Sequence, residues 1–177
     1  MKKRCSWVTE DEIYIKYHDE EWGIPTHDEK ELFEMLVLES FQAGLSWITI
    51  LKKRENFKKA FDNFDVLKVA SYDEDKVNKL LENEGIIRHK GKINSAINNA
   101  QIFIEIQEEF GSFDNYIWDF TDGKIIKAEY LTESDLSKEI SKDLKKRGMK
   151  FVGPTIIYSY LESIGIIDNH EKDCFKF

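Results

Sequence analysis

Four residues carry the donor set of a tetrahedral metal site. Cys5, His18, His170 and Cys174 offer two sulfurs and two imidazole nitrogens, the combination that closes around a structural zinc ion. Their spacings are Cys-x12-His toward one end of the chain and His-x3-Cys toward the other. Only the second is compact, so spacing alone does not bring the two pairs together. His27 and His89 read as surface histidines.

A second group of residues suits the flat face of a base. The segment WVTEDEIYIKYHDEEWG holds Trp7, Tyr14, Tyr17 and Trp22, and Trp47 follows in QAGLSW. Aromatic faces of this kind stack on an extruded base, although spacing alone favours an ordinary aromatic core. Glu39 is harder to place. It lies inside the apolar run MLVLESF, where an unpaired carboxylate costs several kcal/mol or takes up a proton. Either Glu39 faces outward from an amphipathic helix or it is a buried acid with a task.

The third candidate is KFVGP, residues 150–154. Gly153 stands just before a helix start, and a helix N-terminus presents unpaired N–H groups that suit a phosphate. With Lys145, Lys146, Arg147 and Lys150 nearby, the stretch reads as a helix-hairpin-helix gripping one DNA strand by its backbone. The usual hairpin is close to Pro-Gly-Val-Gly; here Lys150-Phe151-Val152-Gly153 lacks the first glycine. A plain turn between two helices would also carry Gly then Pro.

Helices must position these residues. Thr9 with Glu12, and Asp28 with Glu31, have capping-box spacing, and Asp65 and Asp73 stand as N-caps before VLKVA and EDKVNKLL. A long helix is predicted after Ile87, and helices return in SDLSKEISKDLKKRG and PTIIYSYLESIG, where Pro154 suits a first turn. Residues 111–134 are the least helical, with KIIKA as a short extended piece. The fold class is all-α, about eight helices in a single domain over 1–177, with the hairpin at about 138–164.

With 177 residues, 41% hydrophobic and 13% aromatic, the chain is globular. No apolar run is long enough to span a membrane, and the basic start MKKRC has no apolar segment behind it, so a cytoplasmic setting is expected. Reducing conditions there argue against a Cys5–Cys174 disulfide. A net charge of −8 speaks against nucleic acid as a partner, yet sixteen of the 26 Lys and Arg fall in 2–4, 52–59, 88–92 and 142–150. A basic face on an acidic protein is compatible with that distribution, as are solvated helix faces.

Taken in order, RCSW, YIKYHDEEWGIP, LFEMLVLESFQAGLSWITILKKREN, GIIRHKGKI and LKKRGMKFVGPTIIYSYLESIG resemble the bacterial 3-methyladenine DNA glycosylases of type I, from Arg4 to Cys174. The resemblance implies a helix-hairpin-helix superfamily fold whose ends are joined by a structural zinc ion on Cys5, His18, His170 and Cys174. It implies hydrolysis of the N-glycosidic bond of 3-methyladenine in double-stranded alkylated DNA, by base flipping, with release of the free base; a monomer is the default for an enzyme that scans DNA. By that match Trp47 stacks on the base, Tyr17 and Glu39 hydrogen-bond to it, and Trp7, Tyr14 and Trp22 line the pocket. Gly44 and Leu45 would wedge the duplex, and Phe151, Val152, Gly153 and Thr155 would hold phosphates. The family more often has Asn then Asp where this chain has Asp168 and Asn169, and no catalytic role is assigned to Asp168. The alternatives are a zinc-stapled DNA-binding protein without catalysis and a helical scaffold whose aromatics are core.

Overall fold

A computed structural model describes residues 2–128 and 131–177. Its centre is α2 (Glu29–Gln42), where every residue from 32 to 41 is buried. A helix covered on all sides needs neighbours on all sides, and α2 has them. It packs against α3 (Trp47–Ala60), α6 (Lys90–Phe110), α7 (Phe113–Asp119) and α9 (Pro154–Ser163). The other helices are α1 (Glu12–Glu20), α4 (Val66–Ala70), α5 (Glu74–Glu82) and α8 (Asp135–Lys146), with a tight turn at Asp62–Phe64. Nine α-helices thus stand, among the described residues, where about eight were expected.

Local sequence sets most helix starts. The carboxylates of Asp28, Asp65 and Asp73 accept from the N–H groups of Glu31, Lys68 and Lys76, each cap contributing about 1 kcal/mol. One expectation fails: α1 is capped by Asp11, which accepts from Ile13 N–H, while the Thr9 hydroxyl accepts from Asp11 N–H. Thr9 lies two residues before the cap position.

The stretch 111–134 also differs from expectation, with residues 129 and 130 outside the described ones. It holds α7, whose first N–H groups are met by Ser112 and by a distant acid. The Glu29 carboxylate accepts from Phe113 N–H at 2.6 Å and from Asp114 N–H at 2.9 Å. The extended piece is present as β1 (Ile126–Lys127), parallel to β2 (Ile167–Asp168), with Ile126 opposite Ile167 and Lys127 opposite Asp168. This short pair fixes the segment that leads to His170.

Candidate active site

Four helices, α1, α2, α3 and α9, and the segments at Trp7 and Trp22 meet at a cleft of about 190 Å³. From α1 come Tyr14 and Tyr17, three apart and so on one face. From α2 comes Glu39, from the first position of α3 comes Trp47, and Trp7 and Trp22 close the outer side. All six residues expected at a base pocket therefore line one cavity. The Tyr17 and Trp47 ring centroids are 5.5 Å apart, and Trp7 lies 5.1 Å from Tyr14 and 5.0 Å from Trp22. Gln42, Ser159 and Glu162 also line it; sequence reading missed them, because each looks like an ordinary polar position on an amphipathic helix.

Glu39 is 3% exposed, which excludes an outward-facing residue. Among the described residues its Oε2 has no hydrogen-bond partner, and neither has the Trp47 indole Nε1. Glu34, one turn earlier on the same helix, is also buried but meets Arg54 Nε at 2.7 Å. Burial, and then the charge of Glu162, push the Glu39 carboxyl well above the usual carboxylate range. Burial and then Glu39 likewise raise the Tyr17 phenol, keeping it a neutral donor. The cleft thus offers ring faces, a phenol and an acid without a partner.

Behind the aromatic wall, Cys5, His18 and Cys174 come together, their ligand atoms within 4.8 Å of one another. His18 Nε2 faces Cys174 Sγ at 3.4 Å. His170 stands beside this trio, its ring 5.3 Å from that of His18, with Nε2 buried and without a partner. Both imidazoles are oriented from behind. His18 Nδ1 meets Asp19 at 2.8 Å and His170 Nδ1 meets Asp168 at 2.6 Å. A carboxylate only accepts, so Nδ1 carries the proton and Nε2 keeps its lone pair. The two acids are themselves held, Asp19 by Arg4 and Asp168 by Lys127.

The electrostatics agree with a cation site. Burial lowers both histidine pKa values, leaving neutral imidazoles, and pushes the Cys5 thiol up to about 12. Hydrogen bonding from Arg4 holds Asp19 well below the carboxylate range. Gly23 gives His170 its room: a Cβ there would sit 2.7 Å from the imidazole Cε1, and its φ of +75° already favours glycine. Both cysteines are free thiols.

The expected DNA-contacting residues lie on two adjoining turns. Gly44, with φ +78°, and Leu45, 38% exposed, follow the end of α2. Lys92, expected on a basic face, is instead buried, its Nζ donating to the carbonyls of Phe41 at 2.9 Å and Ala43 at 2.6 Å. Arg54 and Arg147 are likewise engaged, by Glu34 and Glu21 and by Glu109 and Asp143. The exposed cations Arg88, Lys90, Lys145, Lys146 and Lys150 make no ion pair among the described residues.

Between α8 and α9, Phe151 occupies the position of the missing glycine and adopts its conformation, with φ +55°. That geometry costs an L-residue about 1–2 kcal/mol, and neighbours hold it. Asn99, Ser40 and Ser141 donate to the carbonyls of Lys150, Phe151 and Val152 at 2.8, 3.1 and 2.7 Å. With its carbonyls bound, the turn leads into α9, whose first turn has no side-chain cap; Gly153 is its N-cap and Pro154 its first residue. Thr155 is exposed beside it.

The frame is that of a glycosylase, a hydrolase of N-glycosyl bonds, as comparison with known proteins shows. Residues 7–177 match the methyladenine glycosylase family. The DNA-3-methyladenine glycosylase 1 of Escherichia coli is 46% identical, covering 97% of this chain and 95% of its own. A crystal structure of a 3-methyladenine DNA glycosylase I superposes with a TM-score of 0.94 at 45% identity, covering 98% of both chains. That of the Staphylococcus aureus enzyme, which addresses recognition of 3-methyladenine, gives 0.93 at 40% identity over 97% of this chain and 95% of that one. The chain belongs to the methyladenine glycosylase family, among the bacterial 3-methyladenine DNA glycosylases of type I. No helix among the described residues is long and apolar enough to cross a membrane.

Proposed function

We propose that this protein excises 3-methyladenine from double-stranded alkylated DNA after flipping the nucleotide out of the helix. The observation that carries the reading is the buried, unpartnered Glu39 carboxyl at an aromatic cleft sized for one planar base. An N3-methylated adenine in DNA is a cation. Ring faces attract it by roughly 0.5–2 kcal/mol, and its positive charge draws the proton from Glu39, leaving a charge-assisted hydrogen bond. Trp47 stacks on the base, Tyr17 and Glu39 bond to its edge, and Trp7, Tyr14 and Trp22 complete the walls.

In the reaction the C1′–N9 bond breaks and its electron pair passes to N9, which neutralises the base. Water adds to C1′ and loses a proton, leaving an abasic sugar and free 3-methyladenine. A cationic leaving group departs readily, so the protein's part is to extrude, orient and hold. Leu45, on the turn at Gly44, fills the gap in the duplex, at an unstacking cost of a few kcal/mol. The α8–α9 turn acts as a helix-hairpin-helix, with Phe151, Val152, Gly153 and Thr155 against the phosphates.

Cys5, His18, His170 and Cys174 fit zinc: two soft sulfurs, two neutral imidazoles and an orphaned buried Nε2. When bound, the ion supplies a cross-link between the two end segments (5–18 and 170–174) and leaves no position for a catalytic water. We place the protein in a reducing cytoplasm as a single-domain monomer. The test is to incubate N-methylated DNA with the protein and identify the released bases by chromatography. Release of 3-methyladenine is expected; DNA binding without release would favour a non-catalytic DNA-binding protein.

A further inference from the structure

A cationic base needs a counter-charge that a neutral base does not, and the cleft holds more acid than one cation requires. Among the described residues two carboxyls, Glu39 and Glu162, line it, and no lysine or arginine does. Glu162 sits one residue before the end of α9, on the opposite helix from Glu39. Its backbone carbonyl accepts from Gly23 N–H at 3.0 Å, anchoring the residue behind Trp22. Its carboxyl takes one hydrogen bond, from Asn169 Nδ2 at 3.1 Å, and makes no ion pair among the described residues. Asn169 also donates to the carbonyl of Leu131, so its amide is shared rather than dedicated to the acid.

We infer that Glu162 is a further base-binding residue, which together with Glu39 selects a cationic purine over its neutral counterpart. This rests on the base-pocket reading above. Two like charges confined in one cleft repel, so the empty pocket holds back ionisation of the pair. Burial lifts the Glu162 carboxyl to about 7 against the hydrogen bond from Asn169, and the charge of Glu162 adds to burial in raising Glu39. A positive ring entering between them removes that repulsion and lets both acids ionise against it. A neutral adenine offers no such relief and meets only the ring faces. Discrimination then follows from a repulsion built into the free site as well as from attraction in the occupied one.

Paired probes test this: 3,9-dimethyladeninium, a permanent cation with the N9 substituent of a nucleotide, and free 3-methyladenine in its neutral form. Affinity for each is read by quenching of tryptophan fluorescence. Wild type is expected to prefer the cation, and Glu162→Gln to lose about tenfold for the cation while changing less than about twofold for the neutral base. Glu162→Asp keeps the charge and is expected to recover most of the preference. A purely structural role through Asn169 predicts the reverse order, since Gln retains the acceptor at full reach and Asp does not. Full cation preference in Glu162→Gln, or recovery absent in Glu162→Asp, overturns the inference alone. A wild-type protein that binds neither probe overturns the base-pocket reading and takes this one with it.

Discussion

The aromatic cleft and the cluster at the chain ends bury polar groups a few ångströms apart, in opposite ways. In the cluster each imidazole is backed by an acid and each acid by a cation: Arg4–Asp19–His18 on one side, Lys127–Asp168–His170 on the other. In the cleft, Glu39 Oε2 and Trp47 Nε1 have nothing behind or before them. The difference matches residence time. A ligand that stays is served by donors locked in one geometry, because the cost of locking is met once, during folding. A ligand that comes and goes is served by groups whose unmet demand it satisfies on arrival. Glu34 and Glu39 repeat the lesson on a single helix, the first paired for structure and the second left open.

The contrast is broken most severely by filling the demand. Glu39→Gln should lower release of 3-methyladenine by about a hundredfold while leaving duplex binding within about threefold, since it removes charge from the reacting complex only. Chromatography and fluorescence anisotropy on the same preparation separate the two. Next comes the braced side. Stripping metal from zinc-loaded protein with a strong chelator should lower Tm by about 10 °C, and Cys174→Ser should do the same without chelator. Excision per folded molecule should survive either treatment at a temperature where the fold holds; loss of chemistry in still-folded protein would mean the ion does more than cross-link.

Smaller effects sharpen the picture. Trp47→Ala should weaken free 3-methyladenine by about tenfold, read by quenching of the remaining tryptophans; unchanged affinity would remove Trp47 from the stack. The pH dependence of stability has a definite sign. Glu39 and Glu162 have folded pKa values above their unfolded ones, so the folded state keeps protons that the unfolded chain releases. Their effect is to lower stability as pH rises from the unfolded carboxylate range to about 7, with no further loss above it for Glu162. Chemical denaturation across that window should show a flatter profile in Glu39→Gln than in wild type.

Much of this was legible in the chain. Asp28, Asp65 and Asp73 act through N–H groups three residues away, so adjacent letters suffice to find them. The collinear motifs assigned the six cleft residues, and the cavity gathers all six. What escaped depends on partners far along the chain. The seven-residue α7 is too short to announce itself by periodicity and starts on a carboxylate from α2. Lys92 sat in a basic stretch, and only the fold turns it inward onto the carbonyls at the end of α2. Asp19 and Asp168 carry no motif of their own; Asp19 stands behind His18 as its neighbour on α1, and Asp168 behind His170 at the end of a two-residue strand. Phe151 inverts the usual inference: where the hairpin pattern lacked a glycine, side chains of α2, α6 and α8 impose the glycine conformation on a phenylalanine.

Trp7 and Trp22, which close the outer side of the cleft, also lie against the histidines, Trp7 5.3 Å from His18 and Trp22 4.7 Å from His170. One layer of indole therefore serves both places. During translation, Trp7 and Trp22 emerge early while His170 and Cys174 emerge only after α9. A nascent chain paused before those residues has Trp7, Tyr14, His18 and Trp22 to set against one another but lacks the His170 ring that backs Trp22, so that side of the shared layer closes last.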